Sequence, residues 1–305
     1  MREQAISRIC SLLEERGFRT STFMHMNSCF DIAARKGGIL FLIKVYSNID
    51  SIRPEQGFEL KKLGNALNAT AIIVGEKTKA FPLSEGIVYD RYDLPVVSPE
   101  TFENFLNKEL PTVRYFKGRN IVELDFDKLR ESRKKLGLSQ EELAEKVDIT
   151  SESIHRYERG QPGSLEIAEK LEKQLNARLV KGIDIFGNRT FDEKIFESRL
   201  DDEMLEKVRK LGLDIALFGH SPFEAYSGYE EPLFISRGER GVEIARKAVE
   251  MEKAGKVIRG RGVILASDFQ KDIVGNTPVV SSDELSTMSR KKDLFELLKK
   301  KERKK

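Results

Sequence analysis

Apolar positions along the first third of the chain follow two periods. From Ala5 to Arg16 they fall at Ile6, Ile9, Cys10 and Leu13, one face of a helix, and Gly17 ends it. Residues 18–24 and 29–35 read as strands, and Lys36-Gly37-Gly38 turns the second into a third over Ile39–Tyr46. That third segment, ILFLIKVY, is nearly all apolar, as a strand buried on both faces would be. A helix over Gly57–Leu67, a buried strand TAIIVG at Thr70–Gly75 and a short strand at Leu94–Val97 follow. Ser98 or Pro99 opens a last helix through Leu106. An α/β domain is predicted over residues 1–110, with Pro111–Asn120 as a linker.

The pattern then becomes helical throughout. Ser139 with Glu142 three residues later is a capping box, and Leu143, Ala144 and Val147 give the stripe that buries. Asp148-Ile149-Thr150 makes a turn, and the Thr150 hydroxyl is placed to cap the next helix. Ile154 and Tyr157 hold that helix to the core, and Gly160 ends it in the left-handed conformation. Ser164 caps a further helix carrying Leu165, Ala168 and Leu171.

These residues, over roughly Asp127–Leu179, resemble the helix-turn-helix DNA-binding domain of the Cro and phage-repressor family, expected here over 120–182. The resemblance implies double-stranded DNA as partner, with the second helix of the motif in the major groove. The base-reading positions are then Ser151, Glu152, Ser153, His155 and Arg156, beside the capping Thr150. Gln140 falls where the family contacts backbone phosphate. Arg156 can donate two bonds to a guanine, and Glu152 can accept from a cytosine amine. The family usually has glycine where Asp148 stands; aspartate tolerates the left-handed turn but adds negative charge near DNA. The competing account of the same residues is a helical bundle used only for protein contacts.

The order of helix, three strands, helix and strand in the first domain resembles the restriction-endonuclease and Holliday-junction-resolvase fold. There, an acid on the second strand and an acid-x-lysine pair on the third hold a metal. Asp31 matches the first acid and Lys44 the lysine, but the paired acid falls at Leu42. With one acid missing, a divalent cation has too few hard oxygen ligands. No catalytic residue, metal site or cofactor is therefore expected.

The plan recurs after the helical region. Phe218-Gly219-His220 echoes Phe23-Met24-His25, Phe223-Glu224 echoes Phe30-Asp31, and Leu233-Phe234-Ile235 echoes Phe41-Leu42-Ile43, with Ser236 where Lys44 was. Residues 242–253 read as a helix, 262–266 as a strand, and Thr277–Ser281 echoes Leu94–Ser98. The fold class is thus α/β plus all-α: a Cro-type reader between two similar αβββαβ domains, the second over 190–289. His25 and His220 occupy matching places, read as a packing role at a strand end. Residues 182–190 lead out of the reader, and Asp192–Leu205 is expected to be helical.

Composition sharpens three points. The two cysteines, Cys10 and Cys29, form no zinc quartet, and no apolar run is long enough to span a bilayer, so a reduced, cytoplasmic protein is expected. The high charged fraction, 34%, fits a thermophile. The segment 290–305 carries nine basic and three acidic residues against a chain total of +3, so the rest of the chain is net negative. That basic tail is read either as a solvated helix end or as a source of attraction to phosphate.

The whole arrangement resembles an archaeal family of HTH-type transcriptional regulators with a central Cro-type domain, which implies DNA binding and gene regulation. A homodimer is expected, because one such helix reads too few base pairs to single out a genomic site. The sequence names no small-molecule effector. The alternatives are a nuclease or resolvase steered by the helix-turn-helix, and a protein-interaction scaffold in transcription.

Overall fold

The computed structural model describes residues 2–24, 28–185, 193–196, 200–228, 231–267 and 269–303. The chain opens with α1 (Arg2–Glu15), β1 (Arg19–Thr22), β2 (Ile32–Lys36), β3 (Ile39–Asn48) and α2 (Pro54–Ala66). Next come β4 (Thr70–Lys77), β5 (Ile87–Arg91), β6 (Leu94–Val97), α3 (Pro99–Leu106), β7 (Val113–Phe116) and β8 (Arg119–Val122). The helical region holds α4 (Phe126–Lys135), α5 (Gln140–Val147), α6 (Ser151–Tyr157), a short β9 (Gly163–Ser164) and α7 (Leu165–Leu175). The remainder is α8 (Glu203–Lys210), β10 (Ala216–Leu217), β11 (Ala225–Ser227), β12 (Leu233–Arg237), α9 (Gly241–Ala254), β13 (Arg261–Leu265), β14 (Ile273–Val274), β15 (Thr277–Val280), α10 (Ser282–Ser286) and α11 (Lys291–Arg303).

Two compact units result. The first comprises Met1–Tyr46, Ser51–Ile72 and Asn188–Lys305; the second comprises Ser47–Asp50 and Ile73–Gly187.

In the first unit, β1, β2 and β3 form an antiparallel run, and α1 buries Ile6, Ile9 and Leu13. The later elements form a six-stranded sheet in the order β10-β11-β12-β13-β15-β14, with parallel pairing of β12 to β13 and of β13 to β15. Hydrogen bonds join the early and late segments within the chain. Arg35 donates to the carbonyls of Val257 (2.7 Å) and Ile258 (2.9 Å), in a π turn over Gly255–Arg259. The Cys29 N–H donates to the His220 carbonyl at 2.6 Å, and the His220 N–H to Glu59 at 2.8 Å. These bonds tie the early and late segments of the chain into one unit. They involve the backbone of His220; His25 lies outside the described residues.

In the second unit the strands run β4-β6-β5-β7-β8-β9. β4 and β6 are parallel and β5 pairs antiparallel with β6. The same parallel and antiparallel pairings link β13, β15 and β14 in the first unit. The helical core gathers Leu129, Leu143, Ala144, Val147, Ile154, Ala168, Leu171 and Leu175.

Three stretches differ from the sequence-based expectation. The supposed linker Pro111–Asn120 holds β7 and the start of β8, a hairpin whose Val113 and Val122 sit in the helical core. The supposed solvated tail is α11, which buries Leu294 and Leu298 in the core of the late sheet; its leucines at i and i+4 form a stripe that the count of lysines hides. Asp192–Leu205 is not one helix: its described part is a 3-10 turn at Glu193–Phe196 and an α8 that begins only at Glu203, while residues 186–192 lie outside the described residues.

Candidate functional site

The helix-turn-helix forms from local chemistry. The Ser139 hydroxyl accepts from the Glu142 N–H at 3.1 Å and the Glu142 carboxylate accepts from the Ser139 N–H at 2.7 Å, so the capping box closes in both directions. α5 ends at Asp148, which takes φ 58° and ψ 52°, the left-handed turn the family fills with glycine. Thr150 then caps α6: its hydroxyl accepts from the Ser153 N–H at 3.3 Å and lies 2.9 Å from the Ser153 hydroxyl.

Only Ile154 of α6 is fully buried. Glu152 and Arg156 are exposed, Ser151, Ser153 and His155 half-buried, and Thr150 exposed. Glu152 and Arg156 present one carboxylate and one guanidinium that can reach outward; Ser153 is spent partly on the cap. Arg156 Nε donates to Gln161 at 2.6 Å, which steadies the side chain and leaves its two terminal nitrogens outside that bond. Gln140 is half-buried, and its amide donates to Glu158 at 2.7 Å, so it is tied into the motif as well as standing at the start of α5.

The Gln140 bond leads to a pair that the motif reading misses. Arg133 of α4 donates to both carboxylate oxygens of Glu158, at 2.6 and 3.0 Å, and to the Leu138 carbonyl at 2.8 Å. The fork is bidentate and buried. Burial works to raise the Glu158 carboxyl, but the bonds from Arg133 and Gln140 outweigh it and hold that group below the usual carboxylate range. Its bond to Glu158 pushes Arg133 upward despite burial. The pair pins the end of α6 to α4. The available signal was Arg133 itself, four residues after the core residue Leu129 and so on the apolar face of α4.

The Asp31 centre is a different kind of site. Asp31 is 1% exposed. Its Oδ1 accepts from Arg2 (2.6 Å) and Lys44 (3.0 Å), its Oδ2 from the Val45 N–H (2.9 Å), and Lys44 also donates to the Ser28 carbonyl at 2.6 Å. Leu42, paired with Ala33 across β2 and β3, is fully buried. Burial first, then the Asp31 charge, pushes the neighbouring Tyr46 phenol up to about 12, so it supplies no base. A divalent metal does not fit here. The one carboxylate already receives two cations and an N–H, and the second ligand position is a leucine. Among the described residues no three His, Cys, Asp or Glu side chains come together in a metal-binding group. None of its helices is long and apolar enough to cross a membrane among those residues.

Comparison with known proteins bears on both sites. Residues 2–111 match a PD-(D/E)XK superfamily domain and residues 129–181 a helix-turn-helix. Whole-length relatives carry the name "putative HTH-type transcriptional regulatory protein". The chain is 32% identical to one from Thermococcus kodakarensis, over 98% of this chain and 96% of that protein. It is 32% identical to one from Methanocaldococcus jannaschii, over 98% and 97% respectively. A third, from Pyrococcus furiosus, is 30% identical over 98% of each chain. No solved structure matches the chain.

Proposed function

The chain belongs to this archaeal family of HTH-type transcriptional regulatory proteins, and from that premise we propose that it is a sequence-specific regulator of transcription that binds double-stranded DNA through α6. The observation that carries the reading is the geometry of α6. Its inner face is fixed by Ile154, its start is capped by Thr150, and its end is held by the Arg133–Glu158 fork. A short helix so restrained presents its outer side chains with little freedom left to lose on binding. Ser151, Glu152, Ser153, His155 and Arg156 are then the base-reading set in the major groove, with Thr150 and Gln140 toward phosphate. Arg156 offers its terminal nitrogens to the O6 and N7 of a guanine.

The protein acts as a homodimer in the cytoplasm, with two readers on half-sites about 34–36 Å apart. The late sheet of the first unit is a second domain of the same plan as the first, and neither cuts DNA. Support for the shared plan comes from matching strand bonds: the Phe23 N–H donates to the Asp31 carbonyl and the Phe218 N–H to the Glu224 carbonyl.

Selection of bound sites from random duplexes tests the reading. The expected outcome is an inverted repeat. Arg156→Ala should then lose roughly 1–3 kcal/mol on the selected site and relax preference at one position. Binding by Arg156→Ala that matches the unaltered protein on every duplex would mean that α6 is not the reader.

The PD-(D/E)XK match favours one second reading, a nuclease targeted by the helix-turn-helix. The cations on Asp31 and the leucine at position 42 weigh against it. Incubation with linear, supercoiled and four-way-junction DNA plus magnesium or manganese should give no cutting; metal-dependent cutting lost in Asp31→Ala would reverse this choice.

A further inference from the structure

We propose that the β7–β8 hairpin is a second DNA-contacting element, which grips backbone phosphates beside the bases read by α6; this rests on the reading of α6 above. The hairpin lies in the gap between the two matched segments, which end at residue 111 and begin again at 129. Neither family description therefore assigns it a role.

Its placement is rigid. Val113 and Val122 are a cross-strand pair, and both belong to the helical core. β8 pairs with β9, which leads into α7. The returning chain seals the base: the Ile183 N–H donates to the Pro111 carbonyl at 2.7 Å and the Lys181 N–H to the Glu123 carbonyl at 2.9 Å. The hairpin thus moves with the reader and is no tether.

Its location is next to the end of α6. A cavity of about 390 Å³ is walled by Arg114, Phe116 and Ile121 of the hairpin on one side and by Gly160 and Pro162, just past α6, on the other. Side chains alternate across a strand. Arg114 with Ile121, and Phe116 with Arg119, are cross-strand pairs on the face opposite Val113 and Val122. That outward face therefore bears two arginines; Lys181 and Glu123 also line the cavity.

Its charge is one-sided. From Leu110 to Val122 there are three cations, Arg114, Lys117 and Arg119, and no acid. The rest of the helical domain, residues 123–181, holds twelve basic and thirteen acidic side chains, so it supplies no net attraction to DNA. The hairpin carries a local excess of positive charge equal to that of α4, where Phe126–Lys135 holds five basic and two acidic residues, but α4 spends Arg133 on the buried Glu158. The hairpin's tip is built to project its charge. Lys117 and Gly118 both take positive φ, 47° and 81°, the two-residue turn whose twist suits a hairpin. The exposed Lys117 has its ammonium 5.1 Å from the centre of the half-exposed Phe116 ring. An extended, acid-free, cationic finger beside a reading helix fits the phosphate backbone of the same duplex.

The test is equilibrium binding of the full chain across a salt series, on the selected duplex and on random duplexes, with Lys117→Ala/Arg119→Ala beside the unaltered protein. Both residues are exposed, and an unchanged thermal unfolding curve verifies the fold. The double variant should bind both duplexes more weakly. Its plot of log affinity against log salt should be shallower by about 1.8, two phosphate contacts at roughly 0.9 each. The preferred sequence should stay the same. Unchanged affinity and slope would overturn the hairpin role while leaving the α6 reading intact, and so would a changed base preference, since the hairpin would then be reading bases. Loss of preference in Arg156→Ala with an undiminished hairpin effect supports both readings together. If the unaltered chain binds no duplex at low salt, both fall; capture of an acidic protein instead would then make the hairpin a protein-docking element.

Discussion

Asp31 and Glu224 occupy the same place in two similar strand arrangements, yet they live in different chemistry. The Asp31 N–H donates to the Ile43 carbonyl at 2.8 Å, and the Glu224 N–H to the Ile235 carbonyl at 3.0 Å. The residue after the accepting isoleucine is Lys44 in one case and Ser236 in the other. Lys44 reaches Asp31 directly; the buried Ser236 hydroxyl finds no hydrogen-bond partner among the described residues. Glu224 instead takes its cations from Arg237, one residue further along β12, and from Lys247 of α9, each at 2.8 Å. The sheet preserves where the carboxylate starts. It does not preserve which cation answers it, or from which element. A carboxylate at this position is held by charge pairing in both places, and among the described residues neither place gathers a metal-binding group.

The comparison predicts unequal costs. Asp31→Ala should be the most damaging change, because it leaves Lys44, 6% exposed, with an uncompensated ammonium. Removing one partner of a buried pair costs about 3–5 kcal/mol, readable in urea unfolding of the full chain. Adding Lys44→Met should recover most of that loss, since an apolar replacement of both partners is often near neutral. A double variant as unstable as Asp31→Ala would show that the cost does not lie in the stranded lysine.

Glu224→Gln should cost far less, below about 1 kcal/mol, because its side chain is 29% exposed and water screens the pair. Equal losses from the two carboxylates would erase the distinction between them.

The smallest expected effect is in pH. Burial works to raise the Glu224 carboxyl, but hydrogen bonds from Arg237 and Lys247 prevail and hold it below its ordinary value of 4.5. A carboxyl lowered in the folded state stabilises above the unfolded value and loses that contribution as pH falls through the folded one. The stability difference between the unaltered protein and Glu224→Gln should therefore be constant above about pH 4.5 and shrink below it. A difference that grows on acidification would have the wrong sign for this account.

Much of the helix-turn-helix was legible in the residues themselves. Ser139 with Glu142, Thr150 with Ser153, and the left-handed positions Asp148 and Gly160 act over three or four residues, so their spacing already states the contact. The period-two and all-apolar runs likewise gave β2, β3 and β4, and Leu42 gave the break in the acid pattern. The hairpin was not legible: Val113 and Val122 are single apolar residues flanking a polar turn, and only the core they enter makes them a strand pair. Nor was α11, whose two buried leucines were outweighed on paper by its lysines.

What the sequence alone determined, then, is features carried by neighbours along the chain: the caps and turns of the helix-turn-helix, the clearest helical and extended periods, and the missing acid. What tertiary structure decided is the pairing of distant charges. Arg2 meets Asp31 across 29 residues, Arg133 meets Glu158 across 25, and Lys247 meets Glu224 across 23. Such partners are set by how elements pack, because a buried charge takes whichever opposite charge the fold brings within reach, and no local spacing encodes that choice.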